Sequence, residues 1–99
     1  FLTLMRLIIG ESEKFPELAQ AFVRELSKPM LERMSTYLGN HPQLHFSDPE
    51  IAARVFSGSM VHYLIVQEVM GGKELMPLEC DRMVAGLIDI MMAGGHYEA

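Results

Sequence analysis

At 99 residues the chain is long enough for one compact domain and too short for two, and its 8 Lys and Arg against 13 Asp and Glu leave a formal charge of −5. No predicted helix carries a stripe of Lys or Arg, which excludes the neutralisation of nucleic-acid phosphates as the task of these residues. The composition is 49% apolar, more than an average soluble domain of this length needs, so some apolar surface is expected to await a partner.

Phe1-Leu2-Thr3-Leu4-Met5 enters an apolar periodic run with no capping residue or polar lead-in, so the expectation is a helix entered partway, in a piece of a longer chain. From Leu2 to Glu13 the positions Thr3, Arg6, Gly10 and Glu13 form a narrow polar edge on that helix. Phe15-Pro16-Glu17 restarts the chain. Pro16 suits a first helical position, Glu17 suits the positive end of the dipole, and Phe15 is placed to staple onto the next turn.

The second helix runs through Leu26, where Ser27-Lys28-Pro29 predicts a kink or a fresh start. A further helical stretch follows from Pro29 to Leu38 and stops at Gly39-Asn40. His41-Pro42-Gln43-Leu44-His45-Phe46 is a connecting loop. Ser47-Asp48-Pro49-Glu50 is the strongest boundary in the sequence, with either Ser47 capping toward Glu50 or Asp48 capping ahead of Pro49. The long helix that begins there is expected to reach Met70 and stop at Gly71-Gly72. A last helix starts near Pro77, runs to about Ala93 and ends at Gly94-Gly95, with His96-Tyr97-Glu98-Ala99 as a frayed tail. No segment alternates as a strand does.

These signals predict an all-α fold of about five helices in an antiparallel bundle. The last two helices have apolar surface on more sides than so short a chain can cover. A symmetric dimer closes them, each subunit giving both helices to a four-helix interface through Ile51, Val55, Gly58, His62, Val66, Val84, Leu87, Ile88 and Met91, with Gly58 and Gly86 permitting close approach.

The run Leu7-Ile8-Ile9-Gly10-Glu11-Ser12-Glu13-Lys14-Phe15-Pro16-Glu17-Leu18-Ala19-Gln20-Ala21-Phe22, followed at the right distance by Asp48-Pro49-Glu50-Ile51-Ala52-Ala53-Arg54-Val55-Phe56-Ser57-Gly58 and then by Gly71-Gly72 before a final helix, resembles the C-terminal domains of the TetR (tetracycline-repressor-like) family over nearly its whole length. The resemblance implies a homodimeric transcriptional regulator, a probable repressor in its family, whose N-terminal helix-turn-helix binds operator DNA while the C-terminal domain senses a small molecule. These residues contain no helix-turn-helix, so operator DNA is expected as a partner only through an N-terminal domain outside them.

A small hydrophobic effector is expected between the first helix, the kinked second region and the long helix, lined by Met5, Ile9, Phe22, Met30, Met34, Phe56, Met60 and Tyr63. Nine methionines in 99 residues motivate this, because flexible thioethers fill irregular space and adapt to varied ligands. Tyr63 and Gln67 are candidate polar anchors, with a core hydroxyl satisfied by backbone as the alternative. The rival reading is a purely structural dimerisation bundle in which the methionines only pack.

An enzyme is not expected. There is no phosphate loop, nucleophile elbow or paired CxxC, and His41 and His45 flank a proline in a loop without a third ligand at metal spacing, so no metal and no cofactor are expected. The single Cys80 reads as a free buried thiol rather than a sensor thiol, since Glu79 and Asp81 discourage the thiolate. A chain with no possible internal disulfide, no membrane-length apolar run and no signal-like leader is expected to be soluble and cytoplasmic.

Overall fold

The computed structural model describes residues 2–95, and among them there are helices, turns and no strand. In order these are α1 (Leu2–Glu11), α2 (Pro16–Phe22), a π-helical turn (Val23–Ser27), α3 (Lys28–Asn40), α4 (Pro49–Leu64), a second π turn (Ile65–Val69), a short 3-10 turn (Gly72–Glu74) and α5 (Cys80–Gly95). The expected all-α class and the count of about five helices hold. The tail from His96 lies outside the described residues. The chain packs as two units, one ending at Met30 and the other beginning at Leu31.

In the first unit α1 packs against α2, and Met5 and Ile8 are buried. The helix ends two residues earlier than Glu13. The Ser12 hydroxyl donates to the Ile9 carbonyl at 3.0 Å, occupying an acceptor of the last turn. The Phe15 amide donates to Glu11 at 2.8 Å. Pro16 then opens α2 as predicted. Phe15 itself stays exposed, so a staple there is weak.

At Ser27-Lys28-Pro29, where a kink or a fresh start is expected, a π turn leads directly into α3 and residues 16–40 are helical throughout. The Lys28 amide reaches back to the Val23 carbonyl, a wide turn that absorbs the misfit of a proline without ending the helix. The sequence signal for a disturbance was correct, and its outcome is a bulge.

The boundary at Ser47-Asp48 resolves in favour of Asp48. Its carboxylate accepts from the Ile51 amide at 3.3 Å and Pro49 takes the first helical position, while Glu50 and Arg54 pair one turn apart at 3.3 Å. α4 is disturbed near its end, where the Met70 amide bonds to the Ile65 carbonyl at 2.9 Å. The stop at Gly71-Gly72 uses both glycines differently. Gly71 has φ of +69°, the left-handed conformation in which a Cβ is unwelcome. Gly72 lies against the preceding turn, where an added Cβ would stand 2.5 Å from the Val66 carbonyl oxygen.

α5 begins at Cys80, three residues later than Pro77 suggested, and at this first position the Cys80 thiol is exposed rather than buried as expected. The reason for the later start is that the backbone of the preceding segment is bonded to side chains of the other helix. The Gln67 amide donates to Met76 O at 2.9 Å and its oxygen accepts from the Leu78 amide at 3.4 Å, while the Tyr63 hydroxyl donates to Leu78 O at 2.6 Å. Backbone groups bonded to side chains in this way are not free to supply helical hydrogen bonds. Tyr63 thus lies beside residue 78, Ser59 shares a groove with Arg82 and Met83, and Phe56 shares a cavity with Ile88 and Met91. Numbers fall along α4 as they rise along α5, so the two helices are antiparallel.

Candidate functional site

The second unit contains a cavity of about 260 Å³ walled by Met34, Tyr37 and Leu38 of α3, Leu44 and Phe46 of the loop, Phe56 of α4, and Ile88, Met91 and Met92 of α5. No polar atom contributes to its wall. α3 meets α4 through the Ser57 hydroxyl, which donates to the Met34 sulfur at 3.7 Å. At the loop, the rings of Tyr37 and His41 meet edge to face with centroids 5.7 Å apart, and His41 Nδ1 accepts from the Gln43 amide at 3.2 Å.

Of the eight residues expected to line a ligand site, the structure brings Met34 and Phe56 together in this cavity. Met5, Ile9, Phe22 and Met30 belong to the first unit. Met60 is half-buried on α4. Tyr63 is buried, its hydroxyl donating to the Leu78 carbonyl, and the Gln67 side chain bonds to Met76 and Leu78. Tyr37, Leu38, Leu44, Phe46, Ile88, Met91 and Met92 line the cavity as well and are not in the expected set. For Leu44 and Phe46 the sequence carries a signal, since apolar residues in a proline-containing loop are candidates for burial against a neighbouring helix.

On the other flank of α5 a shallow groove runs between Ser59 of α4 and Arg82, Met83, Gly86, Leu87 and Ile90 of α5, with Leu78 at one end. Beside it Ile51, Val55, Gly58 and His62, spaced four, three and four residues apart, form an exposed stripe along α4. Ile51 is 53% exposed, Val55 49% and Ile90 68%. Nothing lies within 4 Å of a Cβ built on Gly58 or Gly86. Of the other residues expected at the interface, Leu87 is buried within the chain, Ile88 and Met91 line the cavity, Val84 is half-buried, and Val66 is half-buried with Gly72 against it.

Burial holds the Tyr63 phenol above its ordinary pKa, with Cys80, Glu79 and Glu68 adding and Lys73 opposing. Lys73 is raised by its bond to Glu68 at 2.8 Å, against a smaller opposing effect of burial. Both shifts are upward, so each contributes stability that is present below the ordinary value near pH ~10 and is lost as pH rises through the raised one. Stability is therefore expected to fall on the alkaline side. Tyr63→Phe should lower Tm at neutral pH by on the order of 5 °C, because the Leu78 carbonyl loses its partner, and should flatten the alkaline fall. Melting curves from pH 7 to 11 on both chains check this; an alkaline fall as steep in the variant would contradict it.

Among the described residues no group of three or more His, Cys, Asp or Glu is placed to hold a metal ion, and no helix is long and apolar enough to cross a membrane. Residues 1–98 match the family described as AefR-like transcriptional repressor, C-terminal domain. No curated protein and no solved structure matches the chain.

Proposed function

Because the chain belongs to the family of C-terminal domains of AefR-like transcriptional repressors, we propose that it is the effector-sensing and homodimerising part of a cytoplasmic TetR-class repressor, binding a small apolar compound in the cavity of its second unit. One observation carries the reading: α5 walls the cavity with Ile88, Met91 and Met92 and walls the groove with Met83, Gly86 and Ile90. A ligand that favours one seating of α5 over another therefore changes the surface offered to the second copy, which is the differential contact any coupling requires. The interface of this proposal is the α4 stripe Ile51, Val55, Gly58 and His62 with Met83, Gly86 and Ile90. Operator DNA is contacted by an N-terminal domain outside these residues, and the seating of α5 sets the spacing of the two DNA-binding heads. No catalysis is assigned.

The methionines make the test direct. With 13C-labelled methionine methyl groups, titration of apolar compounds is expected to shift Met34, Met91 and Met92, while dilution of the unliganded protein is expected to shift Met83. Methyl signals that ignore every compound yet respond to dilution would leave a dimerisation bundle without a ligand.

A further inference from the structure

The cavity wall says more than that its ligand is small. We propose that it takes an uncharged, hydrocarbon-like compound of one substituted ring or two fused rings, held by contact alone with no hydrogen bond or ion pair; this rests on the sensing reading above. The size follows from the volume. A cavity of ~150 Å³ lined by aliphatic and aromatic groups accepts benzene, so the 260 Å³ here leaves room for that ring and a few more carbons.

The class follows from the wall, which offers no polar atom to a ligand. A carboxylate or phosphate turned toward this wall would lose hydration on that side without replacement, and a hydroxyl or amide would lose a smaller amount in the same way. The net charge of −5 further disfavours an anion at a distance. Met34, Met91 and Met92 supply three soft, unbranched walls around the rings of Phe46 and Phe56. Sulfur and methyl contacts to an aromatic or terpene-like face suit that arrangement, and the same flexibility tolerates variation in ring substituents.

The matched probes naphthalene and 2-naphthoate test the class. Calorimetry on the whole chain is expected to show naphthalene binding at least 100-fold more tightly than 2-naphthoate. Ile88→Trp, at a half-exposed position of the wall, should weaken naphthalene at least tenfold with an unchanged circular dichroism spectrum. Leu75→Trp, at an exposed position of the α4–α5 connection that lines neither the cavity nor the groove, should leave it unchanged. Equal or tighter binding of 2-naphthoate, still blocked by Ile88→Trp, would overturn the hydrocarbon class while leaving ligand sensing in place. Naphthalene binding insensitive to Ile88→Trp would overturn the cavity as its site. Failure of naphthalene and of n-butylbenzene to bind the folded chain would overturn the proposal, and the methionine-methyl titration would then decide separately whether sensing falls with it.

Discussion

Gly72→Ala is expected to destabilise the second unit more than Gly71→Ala, although Gly71 is the residue with the left-handed backbone. At Gly71 a new Cβ meets nothing within 4 Å, so the cost is conformational, about 1–2 kcal/mol for an L-residue in that region. At Gly72 the Cβ would stand 2.5 Å from the Val66 carbonyl oxygen and 2.7 Å from Val66 Cγ1. The first of these atoms is backbone and cannot swing aside. The Gly72 turn must move, and with it the segment that Tyr63 and Gln67 hold in place before α5. Overpacking of this kind costs roughly 1–3 kcal/mol and more where backbone must shift, which for a chain of this size lowers Tm by roughly 10–20 °C. Thermal melts of the two variants side by side check the ranking, and a milder effect at Gly72 would contradict the packing of the α4–α5 connection.

The second large effect is on association. Val55 is half-exposed in the middle of the α4 stripe, and two-fold symmetry brings each copy of a stripe residue close to the other chain. Val55→Glu buries two carboxylates in an apolar interface, at several kcal/mol each after relaxation. The dimer is expected to weaken about a thousand-fold or more, while helicity is unchanged because Val55 has solvent on its outer side. Leu75→Glu provides the control. Leu75 is 87% exposed and lies in the connection away from the stripe, so its charge should leave association as it was. Sedimentation velocity distinguishes the two; a Val55→Glu chain that associates like the parent would remove α4 from the interface.

Periodicity and punctuation located the helices because both are local. Asp48-Pro49 and Gly71-Gly72 act through their own backbone conformations, and their effects are where the sequence puts them. The two π turns were not readable in this way. One is a compromise between a proline and a helix that continues past it, and the other is coupled to how Gly72 seats on Val66, which is a tertiary fact. The start of α5 was misplaced for the same reason: Pro77 is a good first helical residue, but Gln67 and Tyr63 hold the backbone on either side of it.

The site was partly visible. Met34 and Phe56 follow from apolar faces of adjacent helices, whereas the flank of α5 that each residue joins depends on a rotation about the helix axis. Ile88 and Met91 read equally well as interface or cavity, since a helix apolar over most of its circumference does not declare which arc faces what. Gly86 and Ile90 lie on the arc left over once Leu87 is turned into the core.

The mass of the dissolved chain tests the central claim most directly, because both the groove on α5 and the stripe on α4 acquire their meaning only from a second copy. Sedimentation equilibrium at micromolar concentration is expected to return twice the 11.2 kDa of a single chain. A folded, helical species that remains at 11.2 kDa across the whole concentration range would contradict it.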